Sequence, residues 1–520
     1  MQRLSTAANW KNLFLTRNSL PYVFLFAFIA IPLLGLFHHD FWDGSRVGYA
    51  QDSNDFTGVR FWLFSASMEG QYFQEYLLNQ VADFMKISPQ LLGHMLVVAS
   101  LFILIREVTI FAKEYLLIRS QLIFIPGLIV AIFPSLSLTV SSILVYYVSC
   151  LSIGWLCARK FTEATGAWRV LAFLGMIYTF EYAVMILVCP VLVLFYQVNI
   201  NGRKKTKNLR DFRLSIFVTL SAIGFKMFLL AFNQPEGPML GYNKINIPLN
   251  FTELSQLAYG IKSYSSFLLY PILVIFPVWL WSYTKGQGKQ TSKIERNQSN
   301  VNRVLLIVLL LTSVAPYLLV GKSTSLFWLD FWSGRHSFAL IPALALFSIS
   351  ILDWFLDQVS PISRKQLNMV SACVSIIIIS LNSLLLFRVL GFKYLEQQNR
   401  LGIIQSLERV TDDILPGVAI VYVKDSEFLE LNPYESSYLM YKVKGNLETF
   451  TLISTSTVEP EIPGEIFSGS PSQAWTLYNF PKKVCRTEIH ISRVSQFSKF
   501  PNLVLSPKYK VERIKSTCPE

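Results

Sequence analysis

The segment FHHDFWDG, residues 37–44, places two aspartates three residues apart directly after an apolar run. Side chains at that spacing share one face of a helical turn, so the carboxylates of Asp40 and Asp43 can converge. One can then act as a general base while the other holds a hydrogen bond or a metal ion. The local alternative is helix capping, or an Asx-turn at Asp43-Gly44. We predict that Asp40 and Asp43 are catalytic.

Two histidines, His38 and His39, precede these aspartates. Adjacent side chains point apart in a helix or a strand, so the pair is a weak chelate for a divalent ion. Such histidines are typical of polar residues at a membrane interface, and we keep His39 as a candidate contact to substrate. The sequence therefore predicts no obligatory cofactor and leaves a divalent cation open.

A cationic set lies in GKSTSLFWLDFWSGRHSFALIPALALF, residues 321–347, where Lys322, Arg335 and His336 flank an aromatic loop. Arginine presents a planar fork that can hold a phosphate leaving group with two hydrogen bonds. The alternative is that Arg335 pairs with Asp330 or extends to lipid head groups. We predict that Lys322, Arg335 and His336 bind substrate.

Glu181 interrupts the apolar stretch MIYTFEYAVMIL at the turn of a predicted hairpin. An ionisable group at membrane depth is a functional candidate, so Glu181 joins the predicted substrate-binding residues. The sequence contains no P-loop, Rossmann glycine fingerprint, HExxH motif or CxxC pair. Chemistry driven by a soluble nucleotide therefore has no support in the sequence.

These residues belong to a chain dominated by apolar segments. Of its 520 residues, 52% are hydrophobic and 15% are charged, whereas about a quarter are charged in soluble proteins. This composition predicts an all-α polytopic membrane bundle. A window of about 20 residues predicts eleven spans, at 20–37, 90–106, 121–135, 140–157, 168–181, 182–199, 214–232, 265–283, 303–320, 337–355 and 368–388.

Most clusters of lysine and arginine fall in loops on one side of the predicted membrane. With eleven spans, the basic residues before the first span and the basic clusters near 106–119, 159–160, 201–213, 285–296 and 364–365 share that side. The positive-inside rule makes it cytoplasmic. We therefore predict a multi-pass protein of the inner (plasma) membrane with a cytoplasmic N-terminus. The net charge of +13 is then a topology signal, and nucleic acid is not an expected partner.

Three larger segments then face outside: 38–88, 233–264 and 389–520. Apolar residues recur at helical spacing between residues 61 and 84, which predicts amphipathic helices on the membrane surface. We divide the chain into a transmembrane domain, 1–388, and a small extracytoplasmic α/β domain, 389–520. In the tail we expect helices near 394–410 and 434–442 and strands near 417–423, 449–454 and 486–493, and Cys485 and Cys518 can form a disulfide if it lies outside the cytosol.

The acidic first loop with its surface helices, the later GRH sequence leading into ALIPALALF, and the outer tail domain together resemble the GT-C superfamily of integral-membrane glycosyltransferases. That superfamily includes the protein O-mannosyltransferases and the aminoarabinose transferases of lipid A. The HDFWDG segment is similar to the first loop of bacterial members associated with surface polysaccharide. Asp40 matches the family's catalytic carboxylate, and Arg335 matches the basic residue before a Pro-containing span. The adjacent Asp-Glu pair of several members is replaced here by Asp40 and Asp43, which leaves their division of labour open.

The resemblance implies a hexosyl- or pentosyltransferase that takes its sugar from a polyprenyl phosphate within the lipid bilayer. The acceptor would be a glycan or a glycolipid on the outer face, activated by Asp40, and single displacement would invert the anomeric carbon. Two alternatives stay open: an O-antigen polymerase or ligase, and a polysaccharide flippase or transporter. A transporter favours polar residues at mid-bilayer depth and broken helices in matching halves.

Overall fold

The computed structural model describes residues 17–36, 60, 63, 68–141, 144–202, 210–232, 251–283, 293–327, 332–358, 363–424, 433–445, 449–454, 485–494 and 508–518. Within these ranges the chain is mostly helical, and a small sheet lies near the C-terminus. The predicted catalytic residues Asp40 and Asp43 and the predicted contact His39 lie outside the described residues.

Helices make up most of the described chain, and most of these helices are apolar. In order they are α1 Leu20–Gly35, α2 Glu69–Met85, α3 Pro89–Ile110, α4 Phe124–Ala131, α5 Val145–Glu163, α6 Ala167–Thr179, α7 Met185–Gly202, α8 Arg210–Phe232, α9 Phe251–Ser265, α10 Leu269–Tyr283, α11 Lys293–Leu319, α12 Leu340–Gln358, α13 Arg364–Leu407 and α14 Pro433–Lys444.

Several of these helices are suited to a bilayer. Among the described residues, five helical segments are long and apolar enough to cross a membrane: Pro89–Tyr115, Glu253–Phe276, Val301–Leu319, Leu340–Gln358 and Arg364–Asp413. Leu20–Gly35, Ala167–Thr179 and Met185–Asn199 are apolar but shorter. Helices overlap each predicted span, but these lengths do not establish the predicted number of eleven.

Two of the long helices begin at recognisable caps. The hydroxyl of Ser88 accepts a hydrogen bond from the backbone of Leu91 at the start of α3. At the start of α13, Ser363 and Gln366 form a reciprocal capping box. Such caps satisfy backbone donors that a helix leaves unpaired, and they fix where each helix enters the bundle.

Polar contacts join the predicted cytoplasmic residues at one end of the bundle. The Arg159 guanidinium pairs with Glu163 at 2.8 Å, and the Tyr115 hydroxyl donates to Glu163 at 2.7 Å. Arg119, four residues after Tyr115, pairs with Asp353 at 3.1 Å. The ends of α3, α5 and α12 therefore meet where the sequence predicted basic loops.

The opposite end joins the start of the first loop to the tail. The amide nitrogen of Gln397 on α13 donates to the backbone oxygen of Leu36, directly after α1, at 2.8 Å. Near its N-terminal end, α13 is fixed by a 2.7 Å bond from Ser371 to the backbone oxygen of Gln121. Residues 371 and 397 are separated by about 39 Å of helix at the usual rise per residue. Leu36 thus lies at the end remote from Arg119.

Helix α2 has its apolar face outward and its polar face inward. Phe73, Leu77 and Phe84 are exposed, the last by 87%, whereas Gln71 and Glu75 are fully buried. A helix in water would have the reverse arrangement, because exposed apolar surface costs free energy there. This arrangement fits a helix at the membrane surface with its apolar face in lipid.

The tail contains a four-stranded sheet in the order β2-β1-β3-β4. Its strands are β1 Gly417–Lys424, β2 Thr449–Ser454, β3 Cys485–Arg493 and β4 Tyr509–Thr517. Strand β1 runs parallel to β2 and β3, and β4 is antiparallel to β3. The sequence predicted the first three strands and α14 but not β4, which is charged along most of its exposed length.

Helix α13 continues from the apolar bundle into the tail. The sequence predicts a span at 368–388 and a separate helix at 394–410, whereas the structure has one helix, Arg364–Leu407. Its tail half has a buried charge network, in which Arg400 bonds to Glu396 and Glu435 at 2.6 Å each and Lys393 bonds to Glu396 at 2.8 Å. Two cations and two carboxylates balance, so this network fixes α14 on α13 without net buried charge.

A disulfide joins the start of β3 to the region after β4. Cys485 and Cys518 are bonded, and the thiols of Cys150, Cys157, Cys189 and Cys373 remain.

We predict that the denatured protein takes up four alkyl groups before reduction and six after it, because only four of the six cysteines carry a thiol. Mass spectrometry of the intact alkylated chain measures both numbers. Uptake of six groups without reduction would contradict the bond. Replacing both Cys485 and Cys518 with Ser is expected to cost the tail about 2–5 kcal/mol.

Candidate functional site

A cluster of basic residues, two of them buried and one half-buried, lies in the connection between α11 and α12. Its first part is held by α11, because the backbone nitrogen of Lys322 donates a hydrogen bond to the backbone oxygen of Tyr317 at 2.8 Å. Its second part is the 3-10 helix Trp332–Ser337, where the Ser337 hydroxyl donates to Ser135 at 2.8 Å. Arg335 and His336 precede Ser337 and are buried. The structure therefore brings together Lys322, Arg335 and His336, which the sequence predicted as one group.

An aromatic contact connects this cluster to the hairpin between α6 and α7. The imidazole of His336 lies 4.6 Å from the Tyr317 ring, centroid to centroid. The hydroxyls of Tyr317 and Tyr182 are 2.8 Å apart and share a hydrogen bond. Tyr182 directly follows Glu181, so the two predicted sites approach each other through this pair of tyrosines.

The three basic groups of the cluster differ in their charge at neutral pH. Burial, reinforced by the Arg335 charge, lowers the pKa of Lys322 to about 8. Burial and the charges of Arg335 and Lys322 also hold the pKa of His336 well below its ordinary value, although a hydrogen bond to the Ser323 backbone opposes the shift. At neutral pH the cluster therefore contains two cations and one neutral imidazole. Such a pair of cations suits an anionic group such as phosphate.

Glu181 lies at the start of the first-loop helix. The Gly70 backbone nitrogen donates to its two carboxylate oxygens at 2.8 and 2.7 Å, and the Tyr146 hydroxyl donates to one of them at 3.0 Å. A carboxylate is stabilised there by the positive end of the helix dipole. Burial nevertheless raises the pKa of Glu181, with Gly70 and Tyr146 opposing the shift. Glu181 thus fixes α2 to the hairpin between α6 and α7.

The buried face of α2 continues this polar region. The side-chain oxygen of Gln74 accepts hydrogen bonds from Ser149 at 3.1 Å and from Tyr178 at 2.8 Å. Rings of Tyr147 and Tyr182 are 4.9 Å apart, and Tyr146 precedes Tyr147. A line of tyrosines therefore runs from the carboxylate beneath α2 to the cationic cluster. We take both groups together as the candidate site.

Lys226 is a site residue that the sequence analysis missed. It lies on α8, and its charge interacts with the carboxylates of Glu181 and Glu69. A lysine within the apolar sequence SAIGFKMFLLAF is a detectable signal, because charges inside apolar helices are costly. Tyr182 and Tyr317 had no comparable signal, since buried tyrosines are common in apolar helices and only their contact distinguishes them.

The structure does not test the metal option. Among the described residues, no group of three or more His, Cys, Asp or Glu side chains could hold a metal ion. The sequence candidates His39, Asp40 and Asp43 lie outside those residues. A divalent cation therefore stays a prediction from the sequence.

We predict that Gly70→Ala destabilises the protein, because the new Cβ would lie 2.8 Å from a Glu181 carboxylate oxygen. Overpacking of this kind costs about 1–3 kcal/mol. The control is Gly224→Ala on α8, where no atom of the described residues, apart from its chain neighbours and its own helix backbone, lies within 4 Å of the added carbon and Ala favours the helix. Thermal unfolding in detergent measures both. Equal transition temperatures for the two variants would contradict the close contact of Gly70 with Glu181.

Comparisons with known proteins find distant structural similarity but no match in sequence. No family model matches the chain, and neither does any curated protein sequence. Among solved structures, the chain is similar to ArnT from Cupriavidus metallidurans bound to undecaprenyl phosphate, with 11% identity, 94% of each chain covered and a TM-score of 0.42. At that TM-score the similarity supports no inference about the activity of this chain.

Proposed function

We propose that this chain is a GT-C-type membrane glycosyltransferase. It moves a hexose or pentose from a polyprenyl-phosphate donor to a glycan or lipid-linked acceptor at the outer membrane face. The observation that carries the proposal is the pair of cations, half-buried Lys322 and buried Arg335, at the end of the bundle opposite Arg119, where Leu36 also lies. A lipid-linked phosphate can reach this end while its tail stays in the bilayer.

In the proposed reaction, Asp40 takes the proton from an acceptor hydroxyl, and the acceptor oxygen bonds to the anomeric carbon. The bond from that carbon to the phosphate oxygen breaks, and its electron pair leaves with the polyprenyl phosphate. A single displacement inverts the anomeric centre. General-base catalysis contributes about 10²–10⁴-fold, and fixed cations at the leaving oxygen contribute about 10²–10³-fold.

The cationic pair and Glu181 have separate roles in this proposal. Lys322 and Arg335 would neutralise the phosphate, and Arg335 offers two parallel donors to it. Glu181 was predicted to contact substrate, but its two oxygens already accept protein hydrogen bonds from Gly70 and Tyr146. We therefore assign Glu181 to hold α2 in position beside the site.

The Lys322 pKa of about 8 predicts a pH dependence. As pH rises through this value, Lys322 loses its proton, so affinity for undecaprenyl phosphate should fall between about pH 7 and 9. Lys322→Arg keeps its charge over this range and should bind equally at both pH values. Titrations of purified protein in nanodiscs measure the affinity. The same loss in the wild type and in Lys322→Arg would remove Lys322 from the phosphate site.

A flippase for lipid-linked glycans is the second candidate function. The observation that favours it is Lys226, an ionisable residue within the apolar helix α8, because such residues also occur along transport pathways. An O-antigen polymerase or ligase would act on the same class of lipid-linked substrate. These candidates differ in what accumulates when the protein is removed.

Mass spectrometry of glycolipids and surface glycans, from cells with and without this gene, tests the proposal. A transferase predicts that cells lacking the gene accumulate a polyprenyl-phosphate-linked sugar and that their glycan lacks one sugar per repeating unit. A flippase defect would leave each unit intact while lipid-linked oligosaccharide accumulates. Loss of chain length alone would favour the polymerase.

A further inference from the structure

Three buried polar atoms near the cationic pair have no hydrogen-bond partner among the described residues: His336 Nδ1, the Tyr264 hydroxyl and Thr324 Oγ1. Their residues are only 6%, 7% and 3% exposed, respectively. Leaving such an atom without a partner costs free energy, so native proteins rarely do so without a ligand or a water molecule to satisfy it.

The residues of these three atoms are neighbours of the two cations proposed to bind phosphate. Thr324 is two residues after Lys322, and the imidazole of His336 makes a hydrogen bond to the backbone of the intervening Ser323. Tyr264 on α9 interacts electrostatically with Arg335 and with Tyr317. The three atoms therefore come from separate segments that meet beside the two cations.

The hydrogen bond to Ser323 determines what His336 can offer a ligand. Because the imidazole donates one N–H to this backbone oxygen, Nδ1 of a neutral ring is left with a lone pair. The charged groups that face the ring, Arg335 and Lys322, both oppose its protonation, and Tyr317 covers it with a neutral ring. Nδ1 is then a hydrogen-bond acceptor, which repels a phosphate oxygen and attracts a hydroxyl.

We propose that His336 Nδ1, with the hydroxyls of Tyr264 and Thr324, binds hydroxyl groups of the sugar whose phosphate lies against Lys322 and Arg335. This inference rests on the proposed function and refines it. The sequence predicted that His336 binds substrate together with Lys322 and Arg335, whereas in this arrangement His336 recognises the sugar. The hydrogen-bond acceptor Nδ1 lies next to the two cations. This arrangement matches a glycosyl phosphate, in which sugar hydroxyls lie close to the charged phosphate.

The test compares two lipids bound to purified protein in nanodiscs. One is undecaprenyl phosphate, and the other is the sugar-bearing polyprenyl phosphate isolated from cells that lack the gene. His336→Phe should weaken binding of the sugar-bearing lipid about tenfold, as expected for one lost hydrogen bond, and leave undecaprenyl phosphate within about twofold. His336→Asn, which retains an acceptor close to Nδ1, should recover most of the loss.

Tyrosine variants supply a matched control. Tyr264→Phe should selectively weaken the sugar-bearing lipid. Tyr270→Phe should affect neither lipid, because the Tyr270 hydroxyl is also buried without a partner in the described chain but has no charged neighbour there. Equal weakening of both lipids by His336→Phe, or no weakening of either, would overturn the inference. If the wild type binds neither lipid, or if no such donor accumulates, it is the proposed function that fails.

Discussion

Arg335→Gln is expected to lower sugar transfer about 10²–10³-fold, the usual cost of removing a fixed donor from a leaving group. Arg335 is buried beside Lys322, and its charge interacts with the hydroxyls of Tyr264 and Tyr317. Of the two cations proposed to neutralise the phosphate, Lys322 then remains. Arg335→Lys should restore part of the rate, because the charge returns without the planar fork. Product formation from the lipid-linked donor, followed by mass spectrometry, measures the rates.

The matched control for Arg335 is Arg364→Gln. Arg364 is an exposed arginine at the start of α13, close to Gln121 and Asn368 and therefore at the other end of the bundle. It should keep wild-type activity, because it lies far from the site. A fully active Arg335→Lys would indicate that the residue acts only as a surface cation. A fully active Arg335→Gln would exclude Arg335 from the mechanism.

Asp40→Asn is expected to reduce sugar transfer by about 10²–10⁴-fold, because an amide cannot take the proton from the hydroxyl of the acceptor substrate. Affinity for undecaprenyl phosphate should stay unchanged, because the cations alone hold the phosphate in this mechanism. The variant therefore separates chemistry from donor binding. Rates come from the same product assay, and membrane insertion is checked by the amount of protein extracted from the membrane fraction.

The comparison for Asp40 is Asp43→Asn. If Asp40 is the base and Asp43 its hydrogen-bond partner, Asp43→Asn should retain more activity than Asp40→Asn. The reverse order would exchange their roles, and this would settle the question raised by the absence of an Asp-Glu pair. Unchanged products with Asp40→Asn would remove Asp40 from the mechanism.

Much of the helical arrangement could be predicted from the sequence because hydropathy and charge are local signals. Each predicted span overlaps a helix, and the ion pairs of Arg119 with Asp353 and of Arg159 with Glu107 join helices at the side that the charge pattern had assigned to the basic clusters. Lys322, Arg335 and His336 were also found locally, because all three lie in the one connection between α11 and α12, at residues 322–336. Their proximity required no knowledge of long-range packing.

Long-range contacts carried no comparable signal. The bond between Tyr182 and Tyr317 joins residues 135 positions apart, and the contact of Glu181 with Gly70 joins residues 111 positions apart. The sequence indicated Glu181 but not its partner, the Gly70 backbone, so Glu181 was predicted to contact substrate. Neutral His336 was likewise unforeseen, because its pKa depends on burial and on the charges around it.

The most direct test of the account uses the lipid fraction of cells lacking the gene, incubated with purified protein and membranes as the source of acceptor. Wild-type protein should convert the accumulated lipid-linked sugar to bare polyprenyl phosphate, with the sugar appearing on the acceptor, whereas Arg335→Gln should leave the donor intact. Mass spectrometry of both lipids gives the result. A donor that persists with wild-type protein, or is consumed equally by Arg335→Gln, would contradict a transferase built on this cationic site.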